Sequence, residues 1–248
     1  MGLFDKFKKK EEPENIGPMF LYSEKELEEV NAYIAKAFGK FDNVFHEIVS
    51  PDIHLDVCFV PPTDDEPFYK LVTMGAGAYE MKIPEKWKEW HIERAEYVIY
   101  VPKDWNINSS DMNDYWPIKV LKDTARLPIW CDTWLSFGHT LQADEAGTAY
   151  APGTRFNSVI LDFCENHQGE VRFETSTGKT ITFYQVIPMF PDELKFKMDT
   201  GDAGALFDKF EAKGIEYKVV DNNRRSAIVR MKPAVCATVQ SAALPALR

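Results

Sequence analysis

Covalent cross-links, membrane spans and a cationic surface are all missing from this sequence, and each absence removes a class of function. The four cysteines, Cys58, Cys131, Cys164 and Cys236, lie far apart and form no CxxC pair. That spacing points to free thiols in a reducing compartment, so a cytoplasmic protein is expected. No apolar run approaches the roughly 20 residues that a spanning helix needs. The N-terminal MGLFDKFKKK places Lys6 where a myristoylation signal requires Ser or Thr, and its apolar part is too short to anchor. Basic residues are outnumbered, 29 against 39, and the resulting net charge of -10 opposes attraction to nucleic acid and to anionic membranes. There is no internal repeat and no low-complexity linker, so a single α+β unit is the economical architecture.

What the chain does have is apolar patterning, with 45% hydrophobic and 13% aromatic residues. The stretch Ile53–Glu80 organises the reading. Ile53, Leu55, Val57 and Phe59 alternate with His54, Asp56 and Cys58, as in a strand with one buried and one polar face, until Pro61 and Pro62 stop it. Phe68–Met74 reads as its partner strand, followed by Gly75 and Gly77 at a turn or close approach. Before them, Ser23 with Glu26 makes a capping box ahead of Leu27, Val30, Ile34 and Phe38 at helical spacing. After them come a strand over 95–102, a helix around 111–127 with Pro117 in its first turn and Pro128 as its stop, and a strand over 158–163. A hairpin over 171–187, a short helical turn from Pro191 and a helix capped by Asp202 follow, and then two short strands, IEYKVV and SAIVRM, close the fold. The expected fold is therefore a mixed, mostly antiparallel sheet packed with helices. It occupies residues 20–232, between a flexible leader (1–19) and a loosely held tail (233–248).

The candidate chemistry is thin. STGKT resembles the end of a phosphate-binding loop, but Phe173 stands where the pattern requires glycine, and the context is a hairpin turn. His54, Asp56 and Cys58 would sit about 7 Å apart on one strand face, yet no second ligand cluster follows. No metal and no cofactor is expected. Cys131 or Cys164 with His139 or His167 lacks any nucleophile signature. Two places stand out. Trp130, Asp132, Trp134 and His139 crowd one short segment and could line a groove. Arg224 and Arg225, beside Asp221 in a turn, could hold a carboxylate or phosphate, or else form a salt-bridged turn.

Several stretches, taken in order, resemble one family. HLDVCFVPP, FYKLVTMGAGAYEM, WPIKVLKDTARLP, TWLSFGHTL, TFYQVIPMFPDEL and VVDNNRRS are similar to the suppressor of fused domain, covering roughly Phe20 to Met231. The resemblance implies protein binding rather than catalysis. The animal member restrains Gli transcription factors by gripping a short peptide, added as a strand between two domains. The positions matching the family's peptide-contacting Tyr and Asp are Leu127 and Gly138 here, and the second half of the clamp is absent, so that specificity does not carry over. Single-domain bacterial members imply another partner, a toxin that an immunity protein neutralises. A net charge of -10 suits a basic one. The alternative is an enzyme on a small polar ligand, using His139 with Asp132 or the Arg224 and Arg225 pair.

Overall fold

The computed structural model describes residues 19–47, 50, 52–166 and 169–228. The chain forms α1 (Glu24–Phe38), β1 (Asn43–Phe45), β2 (Asp56–Val60), β3 (Phe68–Met74), β4 (Ala95–Pro102), α2 (Met112–Trp130), β5 (Thr140–Gln142) and β6 (Ser158–Phe163). It continues through β7 (Glu165–Asn166), β8 (Gly169–Glu170), β9 (Arg172–Glu174), β10 (Thr180–Met189), α3 (Pro191–Thr200) and α4 (Ala203–Ala212). The main sheet runs in the order β1-β2-β3-β4-β10-β6-β5, with β9 also paired to β10. Its pairings are antiparallel except β4 with β10, where Ala95–Val98 run alongside Thr182–Gln185 in parallel. The expected α+β class, a mixed and mostly antiparallel sheet with helices, is what forms.

Successive residues of β10 show how the layers are built, because a strand sends alternate side chains to opposite faces. Tyr184 and Val186 join the cluster under α2 with Leu55, Val57, Tyr97 and Leu121. Ile181 and Phe183 point the other way, into a cluster with Val30, Ile34 and Phe38 of α1. Farther along that second face, Ile187 and Met189 pack on Leu206 and Phe210 of α4. The sheet is thus covered on both sides: α2 on one, α1 and the α3–α4 pair on the other.

That double cover corrects the reading of β2 as a half-polar strand. Every residue of β2 is buried, and Cys58 packs in the α1 cluster. Asp56 is buried too, and its carboxylate meets His46 Nδ1 at 3.1 Å and His54 Nε2 at 3.4 Å. The face expected to be wet is dry because α1 lies across it.

Glu96 makes the same point on β4. It is fully buried and accepts hydrogen bonds from Tyr22 Oη (2.8 Å), Thr73 Oγ1 (2.6 Å) and the N–H groups of Gly75, Ala76 and Gly77 (2.9–3.3 Å). Burial pushes its pKa up against the pull of these donors. Gly75 is needed at this approach, since its φ is +131° and a Cβ there would stand 2.0 Å from the His54 carbonyl oxygen.

Other boundaries moved for identifiable reasons. Helix α2 starts at Met112 under an Asp111 cap, ahead of Pro117, and continues through Pro128 to Trp130. A proline in the last turn removes only one ladder bond, so the helix can pass it. The segment IEYKVV is not a strand; Val219 makes one isolated bridge to Tyr100. Within SAIVRM, Ser226, Ala227 and Ile228 form no strand, and the remaining residues lie outside the described ones, as do residues 1–18 of the leader, His167 and Cys236. The hairpin closes as expected, Thr180–Thr182 against Arg172–Glu174. Its STGKT turn is engaged by α1: Lys179 Nζ and Thr177 Oγ1 both reach Glu26 at 2.7 Å, and Ser176 N donates to Glu29 at 2.9 Å.

Candidate binding surface

The aromatic segment of residues 130–139 leads from the end of α2 into β5, the last strand of the sheet order. Gly138 makes the entry at φ +74°, and its N–H donates to the Leu161 carbonyl at 2.8 Å. From there the backbone alternates. His139 O accepts from Leu161 N at 2.9 Å and Ala143 N donates to Asn157 O at 2.8 Å, so odd-numbered residues face β6. The N–H and C=O groups of Thr140 and Gln142 therefore point away from the sheet, at an edge where no further strand pairs among the described residues.

Beside this edge lies a groove of about 290 Å³ between α2 and the sheet. Val120, Leu127 and Trp130 of α2 form one wall, and Leu141, Val159 and Tyr150 form the other. Leu141 and Val159 are opposite each other in the β5–β6 register and send their side chains to the α2 face. Trp130 stands at the groove's border, 60% exposed, with its indole Nε1 donating to Asp52 Oδ2 at 3.0 Å.

The other sequence-selected residues are distributed less compactly. Trp134 and His139 do meet: their rings are edge to face at 4.5 Å, and His139 Nδ1 lies 3.2 Å from the Trp134 carbonyl. Burial lowers the His139 pKa, helped by the charge of Lys197. Asp132 turns elsewhere, in a left-handed conformation (φ +45°), and forms an ion pair with Lys82. Lys82 borders a separate hollow lined also by Lys88, His91 and Glu93.

Arg224 and Arg225 diverge, so they do not form a joint anion grip. Arg224 is 7% exposed, and its Nη1 and Nη2 each reach a Glu193 carboxylate oxygen at 2.7 Å, with Pro188 O at 2.9 Å. The Phe156, Phe190 and Phe210 rings lie 4.5–5.1 Å from its guanidinium carbon. Arg225 is exposed and donates to the Lys213 carbonyl at 3.0 Å. Asp221 accepts from Asn223 N at 2.8 Å and so shapes the turn. The guanidinium of Arg224 is thus taken up within the fold, by Glu193 of α3.

Sequence reasoning missed Asp52, Val120 and Leu141 as parts of one surface. β5 is only three residues long, with Leu141 its one apolar side chain, and nothing local places it against α2. No group of three or more His, Cys, Asp or Glu side chains among the described residues is arranged to hold a metal. No helix among them is long and apolar enough to cross a membrane.

The suppressor of fused protein family model matches residues 51–225, while no curated protein sequence matches the chain. Among solved structures, a suppressor of fused homologue from Neisseria gonorrhoeae is similar with a TM-score of 0.58 at 18% identity, over 83% of this chain and 97% of that one. The Sufu–Fu complex structure gives a TM-score of 0.58 at 12% identity, over 81% of this chain and 91% of the matched chain. Drosophila Suppressor of Fused gives 0.50 at 11% identity, over 82% of this chain and 50% of its own length. These likenesses establish a shared fold, and the match over residues 51–225 establishes the relationship: the chain belongs to the suppressor of fused family.

Proposed function

We propose that this domain is a protein-binding module that accepts an extended segment of another protein as an added strand on β5. The observation that carries the reading is the outward backbone of Thr140 and Gln142 lying directly beside a groove lined mostly by apolar side chains, with Lys119, Asp123 and Thr124 of α2 also in its lining. An incoming strand would satisfy those groups and send every second side chain into the groove, the two ingredients of recognition by strand addition. Leu127 lines the groove, and Gly138 lies two residues before β5. A member of the same fold has been solved in complex with Fu, which supports a protein as the kind of partner. The finer reading is an immunity role, with a basic toxin as partner, supported by the net charge of -10.

The test uses random-peptide display on the purified domain and on Gln142→Pro. Proline at this position removes an N–H that bonds nothing in the sheet, so the fold tolerates it while an added strand loses a donor. We expect peptides selected on the natural protein to bind the variant at least about tenfold more weakly, with an unchanged urea midpoint. Equal binding to both would refute strand addition. For the toxin reading, a partner co-purified from the native cell should be basic and should dissociate as salt rises.

A further inference from the structure

The exposed tryptophan beside the groove has its indole N–H bonded to Asp52. We infer that Asp52 is a positioning residue for docking: it fixes the Trp130 indole as a rigid wall, so that the groove is preformed for an aliphatic or aromatic side chain of the partner strand. This rests on the strand-addition reading.

The argument follows the hydrogen bonds outward from the interior. Arg126 on α2 is buried, and its guanidinium pairs with Glu47 and lies 3.4 Å from Ile53 O. Glu47 is in turn held by Lys122 Nζ at 2.7 Å and Ser50 Oγ at 2.6 Å. With that end fixed, Arg126 Nε donates to Asp52 Oδ1 at 3.0 Å, and Ile53 N donates to the same oxygen at 2.7 Å. Phe20 N donates to the Asp52 carbonyl at 2.9 Å. Backbone and Oδ1 are both anchored, so Oδ2 is left aimed in a single direction, and that is where Trp130 Nε1 sits, 3.0 Å away.

Fastening the loop before β2 to α2 needs Arg126 with Glu47 and Asp52, but it does not need the indole. The last bond in the series acts only on a side chain that is 60% exposed and borders the groove. A large aromatic held in its bound orientation before the partner arrives saves the entropy of ordering it on contact. Such residues are the usual anchors of an interface.

The experiment compares the natural protein, Asp52→Asn, Trp130→Phe and the double variant. Asparagine keeps an oxygen for Arg126 and Ile53 but turns an amide toward the indole N–H. In proton–nitrogen spectra, the Trp130 indole signal should shift in Asp52→Asn and exchange with solvent about tenfold faster, while the dispersion of the remaining signals shows the fold intact. With a peptide selected by display on the natural protein, Asp52→Asn should weaken binding about tenfold, and adding it to Trp130→Phe should cause no further loss. An unchanged indole signal, or losses that multiply in the double variant, would overturn the inference. Failure of display to yield any peptide on the natural protein overturns the strand reading and the docking role with it. Peptides that ignore Asp52→Asn overturn the positioning role alone.

Discussion

Replacing Arg224 by methionine should be among the most damaging single changes in this domain, and its neighbour Arg225 among the least. Glu193 is fully buried, and its carboxylate has four donors: Arg224 Nη1 and Nη2, Ala227 N at 2.8 Å and Phe190 N at 2.9 Å. Methionine fills much of the arginine's volume among the three phenylalanine rings, so the packing loss is small. What remains is a buried carboxylate without its counter-charge. Removing one partner of a buried pair costs about 3–5 kcal/mol. For a domain of this size, each kcal/mol lowers the melting temperature by about 2–4 °C, so a fall on the order of 6–20 °C is expected. Arg225→Met removes one exposed hydrogen bond and should stay within about 0.5 kcal/mol of the natural protein. Urea denaturation followed by circular dichroism measures both. If Arg224→Met costs less than about 1 kcal/mol, or if the two variants are equally harmful, the reasoning that gives Arg224 a structural role is refuted.

Three further outcomes follow from groups at other sites. Burial alone would raise the Glu26 pKa, but Lys179, Thr177 and Ser23 outweigh it and hold the group at about 2, below its ordinary 4.5. Its stabilising contribution is therefore present above about 4.5 and lost as pH falls toward 2. Glu26→Gln should cost about 2 kcal/mol at pH 7, and urea midpoints should converge with those of the natural protein between pH 5 and 2; a gap that persists would contradict it. Gly75→Ala should destabilise by about 3 kcal/mol or more, because the added carbon meets the His54 carbonyl and the φ is unsuited to an L side chain. Thermal melts would show this, and a near-neutral result would mean that the turn relaxes freely. His139, lowered by burial, should titrate below 6.5 by nuclear magnetic resonance, and the stability it contributes while neutral should fade as pH drops from 6.5 toward that midpoint. A midpoint at or above 6.5 would contradict its placement against Trp134.

Local chemistry made parts of this fold legible and left the binding surface hidden. Ser23 and Glu26 announce α1 because a capping box acts within one turn. Asp202 likewise marks the start of α4, its carboxylate accepting a hydrogen bond from Gly204 N at 2.8 Å. The alternation of Ile53, Leu55, Val57 and Phe59 located β2, but the fate of the opposite face depended on α1 lying across it, which no strand pattern encodes. Arg224 looked available because its partner, Glu193, is 31 residues away on α3. The groove exists only where Leu127 and Trp130 of α2 meet Leu141 and Val159 of the sheet. Of its neighbours, Trp130 stood out by composition; Asp52, 78 positions earlier, gave no sign of its bond to that indole.

Amide hydrogen exchange on the domain, alone and with its co-purified partner, tests the central claim most directly. The account predicts that the Thr140 and Gln142 amides exchange rapidly in the free protein and become strongly protected in the complex. Protection confined to other surfaces, with those two amides still exchanging at the free rate, would contradict it.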